Sequence, residues 1–371
     1  MTRIGFAYNQ KPDPIAAPAA ELARADEEPP SSGAAATLVA PAAAPDDEYA
    51  EWDSAETIAA VERALARHGE VVRLEATDDF PQRLRDARLD IVFNIAEGLR
   101  GPNREAHVPA ICEFYGIPYS GSDPFTLALC LDKSRTKEIL RAHAVPTADW
   151  WLVRSTSEIP ALLARAAAYP LFAKPVHEGS SKGITERNLA TSPAALASIV
   201  AELLERYQQP VLVETFLPGA EFTCGVLGNG AEARVLPLVG MNFDALPAGA
   251  LPIYGFEAKW LWDRPAEPLP IFECPARVSG SLREEIERVV LLTFSALGCR
   301  DWSRIDVRLD AAGRANVVEV NPLPGILPDA ADNSCLPKAA RAAGLDYDAL
   351  IGACLQAAAA RHGIVLDGGR A

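Results

Sequence analysis

The sequence has little positive charge for its length. Its 371 residues include 35 Lys and Arg against 50 Asp and Glu, which gives a formal net charge of −15 at pH 7. Binding to nucleic acid depends on clustered lysines and arginines that neutralise phosphates, so nucleic acid is not expected as a partner. An acidic surface can still contain a local basic pocket, so acidic small molecules are not excluded as ligands.

Further absences narrow the class of protein. No apolar run approaches the ~18 residues of a membrane helix, and the opening MTRIGFAYNQKPDP contains no stretch long enough for a signal peptide. The seven cysteines form no CxxC pair and are odd in number, so reduced thiols in the cytoplasm are expected. Neither GxxxxGK followed by Ser or Thr nor GxGxxG occurs, which leaves no P-loop and no dinucleotide-binding fingerprint.

The residue patterns then predict three units. Residues 1–122 alternate strands, at 3–8 and 89–95, with helices at 51–68 and 103–115, which predicts a parallel α/β layer. Ligands are expected beyond the carboxyl ends of its strands, where 94–102 lies. Residues 12–50 are rich in Ala and Pro with little periodicity, and we expect a mobile insertion there.

The two later units have an α+β pattern. Residues 123–210 combine strands near 150–153 and 171–174 with several helices, one of them at 133–143. Residues 211–371 are richer in strands and end in a helix at 347–361. The strands predicted for this third unit are 211–214, 221–227, 234–239, 303–309 and 315–320.

One predicted hairpin brings acidic residues together. In SRIDVRLDAAGRANVVEVNPLPG, residues 303–325, a turn at 312–313 places Asp306 opposite Glu319 and Arg304 opposite Asn321 on one face. Two opposed carboxylates repel, and a divalent cation would offset that repulsion with Asn321 as a neutral third ligand. Mg²⁺ is the expected ion, with Mn²⁺ as the alternative. The competing interpretation is a solvated polar face on an edge hairpin.

A second segment, AKPVHEGSSKG at 173–183, places Lys174 at the end of a short apolar run and before a loop of small residues. A buried ammonium needs a partner, and glycines let backbone N–H groups approach a ligand closely. A phosphate satisfies both features. Taken alone, the loop is equally well explained as an ordinary turn.

Several blocks, in order along the chain, resemble one known family. They are GIPYSGSDPFTLALCLDKSRTK at 116–137, AKPVHEGSSKG, VETFLPGAEFT at 213–223, FEAKW at 256–260, WSRIDVRLD at 302–310, VVEVNPLPG and SCLPKAARAAG at 334–344. Together they resemble the ATP-grasp ligases, specifically the D-alanine–D-alanine ligases, over roughly residues 90–350. The resemblance implies a three-domain ATP-grasp fold, with a parallel α/β N-terminal domain and two α+β domains that sandwich ATP.

The resemblance also implies roles for individual residues. Those matched to the ATP site are Lys133, Lys174 and Lys259 for phosphates, Ser180 and Ser181 on a mobile glycine-rich lid, Glu214, Phe216 and Leu217 for adenine, and Glu221 for ribose. Those matched to the chemistry are Asp306, Glu319 and Asn321 as Mg²⁺ ligands, Arg304 and the Gly325 N–H as donors to a tetrahedral intermediate, Ser180 facing the substrate, and Ser334 for the acceptor carboxylate. For each residue the simpler interpretation is a surface charge or an ordinary loop position.

The N-terminal third departs from the family pattern on the side of the first substrate. Glu51 or Glu56 is the candidate for the glutamate that binds the ammonium of the first substrate. Glu97 lies near the position of the family's histidine-bearing loop, and His107 is a weaker candidate for it. Trp260 replaces the tyrosine that commonly follows the lysine matched by Lys259. ATP chemistry is therefore better supported than the identity of the amino acids.

The sequence thus predicts a cytoplasmic, ATP-dependent ligase that joins two amino acids through an acyl phosphate for peptidoglycan precursor synthesis. Amino acids, as small-molecule substrates, are the expected partners, without nucleic acid or membrane, and a homodimer is possible because the family is commonly dimeric. Two alternatives stay open. One is the same chemistry on another amino acid, hydroxy acid or peptide, and the other is a non-catalytic nucleotide-binding protein.

Overall fold

The computed structural model describes residues 1–12, 49, 51–98, 100–166, 168–179, 181–255, 258, 262 and 269–367. Two residues of the predicted site, Ser180 and Lys259, lie outside this set, as do residue 50 and residues 13–48 of the insertion.

The strands are β1 (Arg3–Tyr8), β2 (Glu70–Glu75), β3 (Ile91–Asn94), β4 (Trp150–Val153), β5 (Leu171–Pro175), β6 (Leu189–Ala190), β7 (Val211–Thr215), β8 (Glu221–Leu227), β9 (Arg234–Val235), β10 (Val239–Met241), β11 (Phe272–Glu273), β12 (Trp302–Leu309) and β13 (Ala315–Asn321). The α-helices are α1 (Ala55–Leu65), α2 (Phe80–Asp86), α3 (His107–Tyr115), α4 (Pro124–Leu131), α5 (Lys133–Ala142), α6 (Ile159–Arg165), α7 (Pro193–Tyr207), α8 (Gly280–Ala296), α9 (Cys335–Ala342) and α10 (Tyr347–Arg361).

The first sheet is the parallel layer predicted for the N-terminal residues. Its order is β2-β1-β3, and β1 pairs in parallel with both neighbours. The helix expected from residue 51 begins only at Ala55, because the Ser54 side chain accepts a hydrogen bond from the Thr57 N–H and caps α1. The helix expected over 103–115 begins as a 3₁₀ turn at Arg104–Ala106 that leads into α3.

The second sheet is antiparallel, with the order β4-β7-β5-β6. β7 lies between β4 and β5, with Leu212 opposite both Leu152 and Lys174. The prediction that a new unit starts at Val211 therefore places the boundary too early, and the second sheet ends after Thr215. Three β-branched or aliphatic residues in a row, at 211–213, indicate a buried strand, but they do not indicate which sheet the strand joins.

The third sheet has the order β11-β10-β8-β12-β13, with β9 paired to β8. The prediction of a single strand over 234–239 is wrong, since β9 and β10 are separate strands on either side of Pro237. Proline has no N–H to donate to a ladder, and a continuous strand is interrupted there. α8 covers one face of this sheet with buried Ile286, Val289 and Val290.

The C-terminal helix joins the first and last parts of the chain. Leu350, Ile351 and Leu355 of α10 are fully buried in one hydrophobic core with Ile4 and Phe6 of β1. α10 packs on α1 of the N-terminal layer and on β8 of the third sheet, and these contacts hold the two sheets together. No helix in the described ranges is both long and apolar enough to cross a membrane.

Candidate active site

The β12–β13 hairpin has the register that the sequence predicts at its acidic end. Asp306 pairs with Glu319, and Arg304 pairs with Asn321. Nearer the tip the register is offset by one residue, so that Val307 pairs with Val317 and Val318 forms a bulge. The loop differs by one residue from the expected turn, and this bulge compensates for it. The predicted pairing is therefore confirmed, although the turn that produces it differs.

Basic side chains neutralise both carboxylates of this hairpin. Lys133 Nζ lies 3.0 Å from Glu319 Oε1, and Arg304 Nη2 lies 3.1 Å from Asp306 Oδ2. The amide of Asn321 satisfies its hydrogen bonds only with its oxygen assigned toward Arg304. Burial alone would raise the pKa of Glu319, but Lys133, Lys174 and Arg304 lower it to about 2. Burial raises the pKa of Asp306 in spite of the nearby Arg304.

The donor set fits a hard divalent cation. Asp306 Oδ1 is buried and has no hydrogen-bond partner in the described part of the chain, which leaves an oxygen lone pair unused. Carboxylate and amide oxygens are the ligands that Mg²⁺ prefers. Among the described residues no three His, Cys, Asp or Glu side chains form a metal cluster, so the candidate set consists of two acids and one amide. The assignment of Asp306, Glu319 and Asn321 as ligands stays a prediction.

A buried Lys–Glu–Lys arrangement lies across from the hairpin. Glu214 Oε2 lies 2.6 Å from Lys174 Nζ, and Glu214 Oε1 lies 2.5 Å from Lys137 Nζ. Burial would raise the pKa of Glu214, but the two ammonium groups lower it to about 2. Burial lowers the pKa of Lys137, whereas for Lys174 the surrounding acids outweigh burial and raise the pKa. Lys137 was not predicted, although its position four residues after Lys133 places both lysines on one face of α5.

A cavity of about 260 Å³ lies between the second and third sheets. Both apolar and charged side chains line it. The predicted residues that line the cavity are Lys174, Ser181, Glu214, Phe216, Leu217, Glu221, Arg304, Asp306, Glu319, Gly325 and Ser334. Lys133 reaches this group through its ion pair with Glu319. Glu51 and Glu97 are not part of the wall of this cavity.

Arg308 orients the acid predicted to bind ribose. Its Nη1 lies 2.8 Å from Glu221 Oε2, and its Nη2 donates to the Pro252 carbonyl at 2.7 Å. The guanidinium also lies 4.9 Å from the ring centre of Phe216. Burial raises the pKa of Glu221, and Arg308 opposes this shift. Arg308 was missed, although the alternation of Arg304, Asp306 and Arg308 along β12 places all three side chains on the same face.

Two loops complete the cavity. Ser334 Oγ donates to the Gly325 carbonyl at 3.2 Å and accepts from the Leu327 N–H at 3.1 Å, so it braces the loop after β13. Ser181 has a φ of 61° and donates to the Tyr254 carbonyl at 3.2 Å. The glycine-rich segment 176–183 that contains Ser181, called the lid segment below, is thereby tied to the third unit.

The first-substrate side contains an arginine that the sequence analysis did not single out. Arg104 Nη2 donates to both oxygens of Glu51 at 2.9 Å, and Nε donates to Oε2 at 3.2 Å. Both side chains are 9% exposed. The remaining Nη1 donates to the His177 carbonyl at 3.1 Å, which attaches the lid segment to the N-terminal layer. This ion pair joins residues 53 positions apart and leaves no local signal in the sequence.

The other candidates on this side are placed differently. Glu56 is exposed in the first turn of α1, and His107 is exposed at the start of α3. Burial, together with the neighbouring Glu105 and Glu51, raises the pKa of Glu97 well above its usual value. Glu51 also contacts the lid segment directly, since Lys182 Nζ lies 3.9 Å from Glu51 Oε2.

A parallel α/β layer followed by two antiparallel sheets that enclose a charged cavity defines the ATP-grasp class of fold. A family model described as D-ala D-ala ligase C-terminus matches residues 139–356. The D-alanine–D-alanine ligase of Ectopseudomonas mendocina is 33% identical over 282 residues, which are 76% of this chain and 82% of that one. The protein y4sG of Sinorhizobium fredii, described as uncharacterized, is 36% identical over 272 residues, 73% of this chain and 75% of that one.

Solved structures give the same fold. The D-alanine–D-alanine ligase of Bacillus anthracis complexed with ATP aligns with a TM-score of 0.65 and 21% identity, covering 98% of this chain and 99% of that one. The VanG D-Ala:D-Ser ligase of Enterococcus faecalis aligns with a TM-score of 0.66 and 18% identity, covering 96% and 99%. The chain belongs to the D-alanine–D-alanine ligase family.

Proposed function

We propose that this protein is an ATP-dependent carboxylate–amine ligase that joins two D-alanine molecules through an acyl phosphate for peptidoglycan precursors. The observation that carries the proposal is the convergence of Lys174, Glu221 and the Asp306–Glu319 pair on one cavity. The similar proteins from E. mendocina and B. anthracis are both described as D-alanine–D-alanine ligases. A non-catalytic nucleotide-binding protein would not need to keep this complete set.

The proposed ATP position follows from the residues that line the cavity. Adenine would lie against Phe216 and Leu217 with Glu214 as its acid, and the ribose would meet Glu221, which Arg308 holds in place. Lys133 and Lys174 would bind the phosphates. Both lysines are buried at 6% and 4% exposure, and neutralising a polyanion is a natural role for buried ammonium groups beside a cavity.

Asp306, Glu319 and Asn321 are the residues that would bind Mg²⁺, with Mn²⁺ as the alternative ion. A divalent cation there would neutralise negative charge on the phosphates during phosphoryl transfer. The unused lone pair of Asp306 Oδ1 supports this assignment from the protein side.

The second half of the reaction needs donors for an oxyanion and protection from water. The amine of the second substrate attacks the acyl carbon, phosphate leaves, and Arg304 with the Gly325 N–H would stabilise the tetrahedral intermediate. Ser334, which braces Gly325, would bind the acceptor carboxylate. The lid segment would exclude water from the acyl phosphate. Ser180 is proposed to face the substrate, and Lys259 is proposed to bind a phosphate.

Organisation, location and assembly are further parts of the proposal. The domains would be residues 1–122, a central unit from 123 that ends after Thr215, and a C-terminal unit to residue 371. No disulfide joins any of the seven cysteines, all of which lie in the described part of the chain, and this suits a reducing cytoplasm. A homodimer is proposed on family grounds.

The test is turnover on a panel of substrates. The purified protein is incubated with MgATP and D- or L-amino acids, singly and in pairs, while released phosphate and ligated product are both measured. Turnover with D-alanine alone supports the proposal. Tight ATP binding without turnover on any pair would refute ligase activity and favour the non-catalytic alternative.

The same chemistry on a different first substrate is a second candidate. The observation that favours it is the bidentate Arg104–Glu51 pair, because a carboxylate already neutralised by an arginine is a poorer partner for an ammonium. Turnover that requires a hydroxy acid, a peptide or another amino acid in place of D-alanine would select this candidate.

A further inference from the structure

Lys137 is fixed behind the wall of the cavity. Its ammonium has three donors, and they face Glu214 Oε1 at 2.5 Å, Thr147 Oγ1 at 2.6 Å and the Ala148 carbonyl at 3.4 Å. The side chain is 3% exposed and does not line the cavity. Thr147 in turn donates to the Val317 carbonyl at 2.8 Å, so this arrangement is anchored to β13.

Lys174 differs from Lys137 in one respect that matters for binding. It contacts the other oxygen of the same carboxylate, Glu214 Oε2, at 2.6 Å, but its side chain forms part of the cavity wall. One buried carboxylate therefore has two ammonium partners, of which one faces away from the cavity and one faces into it.

We infer that Lys137 is a positioning residue, the permanent counter-ion of Glu214, which allows Lys174 to leave Glu214 and bind a phosphate of the nucleotide. Leaving a buried charge without a partner is strongly unfavourable. Without Lys137, movement of Lys174 to a phosphate would leave Glu214 buried, ionised and close to a polyanion. With Lys137 in place, Glu214 stays compensated in both states.

This inference rests on the proposed function for the identity of the nucleotide. The simpler role for Lys137 is to hold α5 to the chain around Thr147. A purely structural role would affect all ligands alike, whereas a counter-ion role affects only ligands that draw Lys174 away from Glu214. Adenosine and an unhydrolysable ATP analogue differ in this property, because adenosine carries no phosphate.

The test compares affinities for these two ligands by calorimetry in the wild type and in Lys137→Met, a change that keeps most of the side-chain volume. We expect the dissociation constant of the ATP analogue to rise roughly 100-fold in Lys137→Met while that of adenosine changes less than about 3-fold. Thr147→Val is the matched control, since it removes a hydrogen bond to Lys137 and keeps every charge. Its ratio of the two affinities should stay near the wild-type ratio.

A double variant tests whether the loss of affinity in Lys137→Met can be reversed. In the double variant Lys137→Met/Glu214→Gln the carboxylate paired with Lys174 is gone. Because Glu214 is also proposed to contact adenine, the readout is the affinity for the ATP analogue relative to that for adenosine, which should recover at least about 10-fold over Lys137→Met. Equal losses for both ligands in Lys137→Met, or a double variant whose affinity for the analogue relative to adenosine is no better than that of the single variant, would overturn the inference. Thermal unfolding of each variant, together with the adenosine measurement, shows that the protein is folded.

Failure of the proposed function gives a different result. A wild-type protein that binds the analogue but joins no pair of amino acids loses the ligase assignment, and the binding ratios still decide the role of Lys137. A wild-type protein that binds neither nucleoside nor nucleotide overturns both.

Discussion

Adding one methyl group at Gly179 is expected to open the lid segment without unfolding the protein. A Cβ atom built on Gly179 would lie 2.2 Å from Glu51 Oε1. Ordinary contact requires about 3.4 Å or more, so the Gly179→Ala variant lacks roughly 1 Å of space. The φ angle of Gly179 lies outside the left-handed region, and the effect is therefore crowding without backbone strain.

Either Glu51 or the lid segment must move, and the two movements differ in cost. Moving Glu51 would break its hydrogen bonds of 2.9–3.2 Å to Arg104 and disrupt a buried ion pair, at a cost of about 3–5 kcal/mol. Moving the lid segment gives up bonds to neutral carbonyls that water can replace, such as those from Arg104 to the His177 carbonyl and from Ser181 to the Tyr254 carbonyl, at a cost of about 1–3 kcal/mol. The second movement is favoured, and the closed state should become roughly 5- to 150-fold less populated.

The assay measures phosphate release and product formation in the same reaction. An open lid admits water to the acyl phosphate, so Gly179→Ala should release more than one phosphate per ligated product, with a lower kcat. The thermal midpoint should stay close to that of the wild type. Gly280→Ala is the control, because a Cβ at this first residue of α8 meets nothing within 4 Å. One phosphate per product at an unchanged kcat in Gly179→Ala would refute the reasoning.

Further predictions concern the charged groups of the cavity. Lys174→Ala should abolish turnover and weaken ATP binding, and unchanged kinetics would remove Lys174 from the site. Glu319→Gln should raise the Mg²⁺ concentration needed for activity steeply, and an unaltered Mg²⁺ titration would contradict its ligand role. Glu214 has a pKa of about 2 in place of 4.5, so it stabilises the fold above pH 4.5 by about 3 kcal/mol, and this contribution is lost as the pH falls toward 2. Because Glu319 has a similarly low pKa, the loss is measured by urea unfolding of the wild type and of Glu214→Gln from pH 5 to pH 2.5, and an equal change of midpoint in both proteins would contradict it.

The hairpin shows what local patterns can predict. Alternation along 303–309 and 315–320 is enough to place Asp306 opposite Glu319, because the faces of a strand repeat every two residues. The bulge at Val318 was not predictable, since it depends on how the strands twist against α8 and β8. The predicted turn was one residue too short, and the bulge at Val318 was not predicted. These two errors cancelled, so the predicted pairing of Asp306 with Glu319 was correct.

Long-range contacts explain what the sequence did not reveal. Arg104 and Glu51 are brought together by the packing of the 3₁₀ turn against the chain before α1, and neither residue has a distinctive neighbourhood in the sequence. The sheet that β7 joins is likewise decided by its neighbours in space. Lys137 and Arg308 could have been predicted from local patterns. Helical periodicity places Lys137 on the face of Lys133, and strand periodicity places Arg308 on the face of Asp306.

Basic side chains offset the acids of the cavity, although the chain as a whole has a net charge of −15. Four acids of the described part line the cavity together with three basic residues, and two further lysines reach these acids from outside the lining. The acids are Glu214, Glu221, Asp306 and Glu319, the basic residues are Lys174, Arg304 and Arg308, and the further lysines are Lys133 and Lys137. Each acid is already paired with a cation, so these side chains are held in place before any ligand arrives, which lowers the cost of reorganisation. When a polyanion binds, a lysine can leave its carboxylate partner only if that carboxylate keeps another cation, because a buried unpaired charge is unfavourable. Lys137 provides one at Glu214, and the divalent cation proposed at Asp306 and Glu319 would provide the other. Binding of nucleotide and of metal should therefore be coupled.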